Sequence, residues 1–351
     1  MLNSEERNQY KRHLTLDAIG EAGQEKLKAA KVLVVGAGGL GCPVLQYLTA
    51  AGVGTIGIID HDVVDQTNLQ RQILYTQADI GQSKVSCVIK RLQALNPFIV
   101  FKGYTDRLST ENAIELFKHY DIIVDGTDNF STRYLINDAA VLSGKPVVFG
   151  SIFKFEGQVS VYNFHSGPTY RCLFPKPNTL ALNCEDAGVL GVLPGIIGTF
   201  QANEVIKIIC GIGNVLSGKL LIFDALNMNQ HIVGYEKTEQ SQIASLSETV
   251  IYCNSALNFE ELTFEDYLSK KDEFFVLDVR TDSERKQFHL ESHHIPLSEL
   301  EQRFKEINTP KPILVYCQSG KRSAQAIQLL KTQQLANTLY NLKDGLLHAK
   351  V

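Results

Sequence analysis

The chain has 351 residues, 44% of them hydrophobic and 21% charged, an ordinary globular balance that excludes a disordered, collagen-like or fibrous molecule. At about 150 residues per domain, this length implies two domains and a core large enough to need no disulfide staples. A formal charge of -4, from 34 basic and 38 acidic residues, supplies no global field for phosphate backbones or anionic membranes, so neither nucleic acid nor membrane is expected as a partner.

The N-terminus, Met1-Leu-Asn-Ser-Glu-Glu6, is polar and acidic where a secretion signal needs a basic patch and an apolar core, and a cytoplasmic location is expected. Residues 31–150 then alternate short β-branched runs with longer helical patterns, the order of βαβ units that build a parallel sheet. Strands are expected at Val32–Val35, Thr55–Asp60, Ile99–Tyr104, Ile122–Asp125 and Pro146–Gly150, with helical patterns between them at 40–51, 84–95, 113–119 and 131–142. A strand-type alternation follows at Gly157–Phe164, then a loop with prolines at 168, 175 and 177, a helix at Ile196–Cys210 and a strand at Lys219–Phe223. The longest apolar stretch, 189–200, contains Pro194 and three glycines and falls far short of the roughly 20 residues that cross a bilayer. Residues 236–257 are polar with little periodicity and read as a linker. A second α/β pattern begins near Phe259, with a helix at Phe264–Leu268, strands at Phe274–Asp278 and Ile313–Tyr316, and a helix at Ser323–Lys331. The expected organisation is a domain at 1–235, a linker at 236–257 and a smaller α/β domain at 258–351.

The segment Val32-Leu-Val-Val-Gly36-Ala-Gly38-Gly39-Leu-Gly41 sets GxGxxG between a strand and a helix, where glycines allow a tight turn and the helix N-terminus offers amides to a phosphate. Asp60 ends the next strand 19 residues after Gly41, the spacing at which a carboxylate accepts ribose hydroxyls. These two features alone fit an NAD-linked oxidoreductase, or glycines that only let a helix pack closely. The stretch from Asp60 through Asp62, Asn68, Arg71 and Gln72, with Lys84 opening the next helix and Asp128-Asn129 after a later strand, moves the reading elsewhere. Carboxylate, amide and guanidinium groups so gathered suit phosphoryl chemistry, in which fixed cations and Mg²⁺ meet negative charge that builds on phosphate oxygens. A hydride-transfer site needs no such cluster. Taken singly, Arg71 and Lys84 also read as solvated surface charges, and Asp128-Asn129 as a helix cap.

In chain order, Tyr10-Lys-Arg12-His, the glycine loop, Asp60 through Arg71-Gln72, Gly81-Gln-Ser-Lys84, Asp125-Gly-Thr-Asp128-Asn129-Phe-Ser-Thr-Arg133 and Cys184-Glu-Asp-Ala-Gly resemble the adenylyltransferases that activate ubiquitin-like proteins. The likeness spans about 10–235 and is specifically to the sulfur-carrier adenylyltransferases of molybdopterin and thiamine biosynthesis. It implies a Rossmann-like mixed α/β sheet that binds ATP and Mg²⁺ and adenylates the C-terminal Gly-Gly carboxylate of a ubiquitin-like sulfur-carrier protein. Under it, Gly36, Gly38, Gly39 and Gly41 form the nucleotide loop, Asp60 binds the ribose, Asn68, Arg71 and Lys84 bind the phosphates, and Asp128 holds the magnesium. Asp62, Gln72 and Asn129 complete the ATP site. Arg12 reaches into the partner subunit's site of a homodimer, and Cys184 is a candidate for covalent linkage to the carrier, with a small buried thiol as its plain alternative. A module that binds ATP and carrier without turnover is the alternative for the whole chain.

The cysteines depart from that family. There are seven, at 42, 87, 172, 184, 210, 253 and 317, an odd count that fits reduced thiols. Relatives carry two CxxC pairs that clamp a structural zinc, whereas here the first reads Thr169-Tyr-Arg-Cys172 and the second region offers only Cys253. No zinc is expected.

In the second domain, Val315-Tyr-Cys317-Gln-Ser-Gly320-Lys321-Arg322-Ser323 places a cysteine between a strand and a helix N-terminus, where amides and dipole favour the thiolate. Four residues separate Cys317 from Arg322, a loop that crowds a phosphate and accommodates one extra sulfur. With Phe275-Val-Leu-Asp278-Val-Arg280 and His294-Ile-Pro296, this segment resembles rhodanese sulfurtransferases over about 259–351. The resemblance implies that Cys317 accepts sulfur from a persulfide donor and carries it, that loop amides and Arg322 stabilise its charge, and that Asp278 and Arg280 form an internal ion pair. An ordinary loop cysteine in a docking domain is the alternative.

Overall fold

The computed structural model describes residues 1–175, 188–246, 259–333, 335 and 337–347, and the chain falls into two compact units, Met1–Ile251 and Tyr252–Val351. In the first, eight strands form one sheet: β1 (Lys31–Val35), β2 (Thr55–Ile59), β3 (Val100–Tyr104), β4 (Ile122–Asp125), β5 (Val147–Phe153), β6 (Glu156–Tyr162), β7 (Lys219–Asp224) and β8 (Asn229–Gly234). Their order is β3-β2-β1-β4-β5-β6-β7-β8. The first five are parallel, with Val32 beside both Ile56 and Ile122, and the pairings of β5 with β6, β6 with β7 and β7 with β8 are antiparallel. The sheet is therefore of the mixed α/β type expected.

Strand β1 shows why both faces must be covered. Side chains on a strand alternate between faces. Val32 and Val34 enter one core with Leu45, Leu48, Val88 and Val205, from helices Gly41–Ala51, Lys84–Leu95 and Leu193–Cys210. Leu33 and Val35 enter the other with Phe117, Tyr134 and Ala139, from helices Ala113–Lys118 and Phe130–Ser143. Each such side chain contributes roughly 1.5–3 kcal/mol on leaving water, so the uninterrupted apolar run of β1 specifies a central strand. No helix among the described residues is long and apolar enough to cross a membrane. Within the stretch 236–257, Ser241 is buried and Leu246 packs against the second of these cores.

The second unit holds a five-stranded sheet in the order β11-β10-β12-β13-β9, from β9 (Glu260–Leu262), β10 (Phe275–Asp278), β11 (His293–His294), β12 (Ile313–Tyr316) and β13 (Leu339–Leu342). All pairings are parallel. Leu277 and Val315 pack there with Ile327 and Leu330 of helix Lys321–Thr332. Only β10 and β12 were signalled by sequence pattern.

Candidate functional site

The carboxyl ends of β1, β2 and β4 open onto a cleft of about 330 Å³, the place where open α/β sheets bind ligands. Gly36, Gly38 and Gly39 line it. Gly41 lies behind them and starts its helix so close to the loop that a Cβ there would fall 2.0 Å from the Gly36 carbonyl oxygen. Gly36 itself takes φ +92°, a conformation that side chains rarely adopt. Asp60 ties this loop in place: its Oδ2 accepts from the Ala37 amide at 2.7 Å and its Oδ1 from the Asp62 amide at 2.8 Å. From below, the buried Tyr75 hydroxyl donates to the Ala37 carbonyl at 2.7 Å. Cys42, in the first turn of that helix, is wholly buried, and burial pushes its thiol up to about 12.

Charge is held along the walls. Lys84 Nζ donates to Asp62 Oδ2 at 2.8 Å, with the lysine side chain only 6% exposed and the carboxylate 53%. A backbone bridge between Val63 and Ser83, with the Lys84 amide donating to the Asp62 carbonyl, brings the two segments together. Burial raises the Asp62 carboxyl, but the Lys84 hydrogen bond and charge outweigh it and hold the group below the usual carboxylate range. Arg71 lines the cleft and is steadied by donation from Nη1 to the Thr67 carbonyl at 3.0 Å. Gln72 is buried beside Gly38 with Oε1 lacking a partner among the described residues. On the opposite wall, Asp128 is exposed and lines the cleft, making no hydrogen bond or ion pair with any described residue. Asn129 lines the cleft and also caps helix Phe130–Ser143, its Oδ1 accepting from the Thr132 amide at 2.9 Å. Asp125 is fully buried, and burial raises its carboxyl. It serves the turn by accepting from Thr127 rather than facing a ligand. Asp60, His61 and Asp62 also bring three ligand atoms within 4.8 Å of one another.

The structure thus gathers Gly36, Gly38, Gly39, Asp60, Asp62, Arg71, Gln72, Lys84, Asp128 and Asn129 around one cleft. Asn68 stands apart from its lining: Oδ1 accepts from the Asp65 amide at 3.1 Å, and its carbonyl accepts from the Arg71 and Gln72 amides. These bonds shape the turn that carries Arg71 and Gln72. Arg12 is exposed in the short helix Lys11–Leu14 and does not line the cleft. Cys184 and Cys253 lie outside the described residues. Sequence reading missed Asp106, Arg107 and Leu108, which the loop after β3 brings to the cleft, and Ile152 and Val189 on the far side. No motif marks them.

In the second unit, Cys317 follows β12 and is wholly buried. The Leu346 amide donates to the carbonyls of Cys317 and Gln318, and Ser323 Oγ lies 3.5 Å from the Cys317 sulfur. Gly320, at φ +80°, turns the chain into helix Lys321–Thr332. Asp278 and Arg280 form the expected internal pair, with Nη2 to Oδ2 at 2.8 Å and exposures of 2% or less. Tyr316 donates its hydroxyl to Asp278 at 2.9 Å. Arg322, expected to stabilise the Cys317 charge, donates from both terminal nitrogens to Glu284, at 2.8 and 2.6 Å. That pairing pulls the Glu284 carboxyl down to about 2.

Residues 10–244 match the ThiF family and residues 262–348 the rhodanese-like domain. A sulfur carrier protein adenylyltransferase from Thermus thermophilus is 53% identical over 229 residues, covering 63% of this chain and 84% of that protein. The adenylyltransferase and sulfurtransferase MOCS3 of Xenopus laevis is 40% identical over 377 residues, covering 95% of this chain and 83% of that protein. Among solved structures, the E. coli MccB complex with MccA-N7isoASN superposes with a TM-score of 0.59 at 22% identity, over 67% of this chain and 74% of that one, a likeness of fold. The chain belongs to the ThiF family, carries a C-terminal rhodanese-like domain, and is an adenylyltransferase with a sulfurtransferase domain.

Proposed function

We propose that the chain adenylates the C-terminal Gly-Gly carboxylate of a ubiquitin-like sulfur-carrier protein and converts it to a thiocarboxylate, for molybdopterin synthesis, in the cytoplasm. The observation that carries this reading is the cleft in which a glycine loop, Asp60, Arg71, Lys84 and Asp128 converge at the carboxyl ends of β1, β2 and β4. A carboxylate oxygen of the carrier attacks the α-phosphorus of ATP, and the bond to pyrophosphate breaks. Negative charge grows on the phosphate oxygens as it does so, and Arg71 and Lys84 meet it in a partly enclosed cleft where fixed charges act strongly. Lys84 enters this role already oriented by Asp62, and Asp60 orders the glycine loop against which the nucleotide lies. Asp128 offers an exposed hard-oxygen ligand of the kind Mg²⁺ takes alongside phosphates. Bound Mg²⁺ supplies charge neutralisation at those phosphates. Arg12 serves the cleft of a partner copy in a homodimer.

Cys317 takes sulfur from a persulfide donor. The terminal sulfur attacks the acyl carbon and AMP leaves; a second thiol then cleaves the acyl disulfide, forming a disulfide with the Cys317 sulfur and releasing the thiocarboxylate. The adenylation domain runs past 235 through the buried Ser241 and Leu246, which packs in its core, the rhodanese-like domain occupies 258–351, and no structural zinc is expected, since Thr169-Tyr-Arg-Cys172 stands in place of the first CxxC pair and the second region offers only Cys253.

The test is ATP to pyrophosphate exchange with Mg²⁺ and each Gly-Gly-tailed carrier of molybdopterin and thiamine synthesis. Exchange is expected with the molybdopterin carrier and is lost in Asp128→Ala. Cys317→Ala should keep exchange and abolish thiocarboxylate, read by mass spectrometry of the carrier. Exchange with the thiamine carrier only would reassign the pathway, and no exchange with any carrier would refute the adenylation reading.

A further inference from the structure

We infer that the first unit is closed, where its family places a zinc, by a metal-free clasp whose hub is the single sulfur of Cys172. Two turns meet there. Thr169 leads the helix Tyr170–Leu173, with the Cys172 amide donating to the Thr169 carbonyl at 3.0 Å. Thr238 leads the turn Glu239–Ser241, and the Ser241 amide and hydroxyl both donate to the Thr238 carbonyl, at 3.1 and 2.7 Å. Thr169-x-x-Cys172 and Thr238-x-x-Ser241 thus share the two-residue spacing of a pair of zinc-binding CxxC turns, but the ligand positions hold two threonines, one cysteine and one serine.

The donor set does not suit the metal. Zinc in a closed structural site takes thiolate or imidazole at all four positions, and neutral hydroxyls are poor substitutes. The sulfur is also already occupied: Cys172 Sγ accepts from the Thr169 amide at 3.3 Å and from the Thr238 amide at 3.4 Å, with Thr169 Oγ1 at 3.5 Å. Those polarised N–H groups approach the sulfur from both turns, and so join them as a shared cation would. The clasp fixes the segment that leaves the domain, because Ser241 is buried and Lys237 Nζ donates across to the Ser166 carbonyl at 2.8 Å. Sequence reading found Cys172 and missed Thr238 and Ser241, since neither is a metal ligand.

The inference rests on the absence of zinc proposed above, and one set of measurements separates the two. The full chain is purified with zinc supplied, its metal content is measured, and its thermal midpoint is followed with and without EDTA. No zinc and no EDTA effect are expected, and Cys172→Ala should lower the midpoint by a few degrees by stranding the amides of Thr169 and Thr238. The combined Thr169→Cys, Thr238→Cys and Ser241→Cys variant should take up about one zinc per chain and become EDTA-sensitive. About one tightly held zinc in the unaltered chain would overturn both statements. A zinc-free chain whose midpoint is unmoved by Cys172→Ala would overturn the clasp alone, as would a folded triple variant that binds no zinc.

Discussion

Lys84 shows how much of a residue's role its spacing can reveal. Its place at the opening of a helix after Gly81-Gln-Ser marks it as a candidate, but its partner Asp62 stands 22 residues away, a pairing that only the bridge between Val63 and Ser83 creates. Arg322 and Glu284, 38 residues apart, were invisible for the same reason, because ion pairs across a fold leave no periodic trace. Lys84→Ala should lower carrier-dependent pyrophosphate exchange roughly 10²–10³-fold, about 2.7–4 kcal/mol of transition-state stabilisation, while circular dichroism stays unchanged. The same variant removes the largest influences that lower Asp62 and leaves burial opposed only by the charges of His61 and Arg107, so that carboxyl should move up, as carbon-detected NMR titration would read. Asp278 makes a contrasting case, being buried with Arg280 and Tyr316. Burial raises its carboxyl, but hydrogen bonds and charge from Arg280 hold it below the usual range. A depressed folded pKa contributes stability that is present above the unfolded value of about 3.9 and is lost as pH falls through the folded one. The rhodanese-like domain should therefore keep this contribution from pH 8 down to about 4 and lose it in stronger acid. Asp278→Asn, which strands a buried guanidinium, should cost about 3–5 kcal/mol at neutral pH in denaturant unfolding.

At the level of elements, legibility follows burial. Strands β1, β2 and β4 have both faces covered and read as continuous apolar runs, which only a central parallel strand explains. By contrast, β8 is exposed along its whole length and reads Asn-Gln-His-Ile-Val-Gly, with no alternation to detect. The strands β9 and β11 have three and two residues, too short to carry a period. The loop from β1 into its helix was legible because backbone geometry constrains its glycines differently, and that difference is testable. Gly41→Ala places a methyl 2.0 Å from the Gly36 carbonyl oxygen, a clash with backbone that no rotamer relieves. It should destabilise the first unit by several kcal/mol and abolish nucleotide binding. Gly38 has its nearest neighbour at 3.8 Å, the Gln72 amide, so Gly38→Ala should fold normally and act only by narrowing the cleft. Isothermal titration with ATP should show weakened affinity at an unchanged thermal midpoint.

For the whole molecule, the two units each have their own sheet and core, and the proposed function assigns a separate chemistry to each. What sequence pattern could not supply is the copy number of the working enzyme, because residues that act across an interface look like surface residues in one chain. Arg12 has this appearance: exposed, in a four-residue helix, and apart from its own cleft. If it serves a partner copy, then Arg12→Ala and Lys84→Ala are both inactive as pure proteins, and their mixture is not. In a mixed dimer, the Arg12→Ala subunit contributes an intact Lys84 cleft and receives Arg12 from the Lys84→Ala subunit, while the other cleft stays dead. Random re-pairing after subunit exchange makes half of the dimers mixed, each with one working cleft, so exchange activity should recover to about one quarter of the unaltered value. Recovery that stays at zero, with mixed dimers verified by native mass spectrometry, would place the function of Arg12 within its own chain and remove the reason to regard the dimer as the catalytic unit.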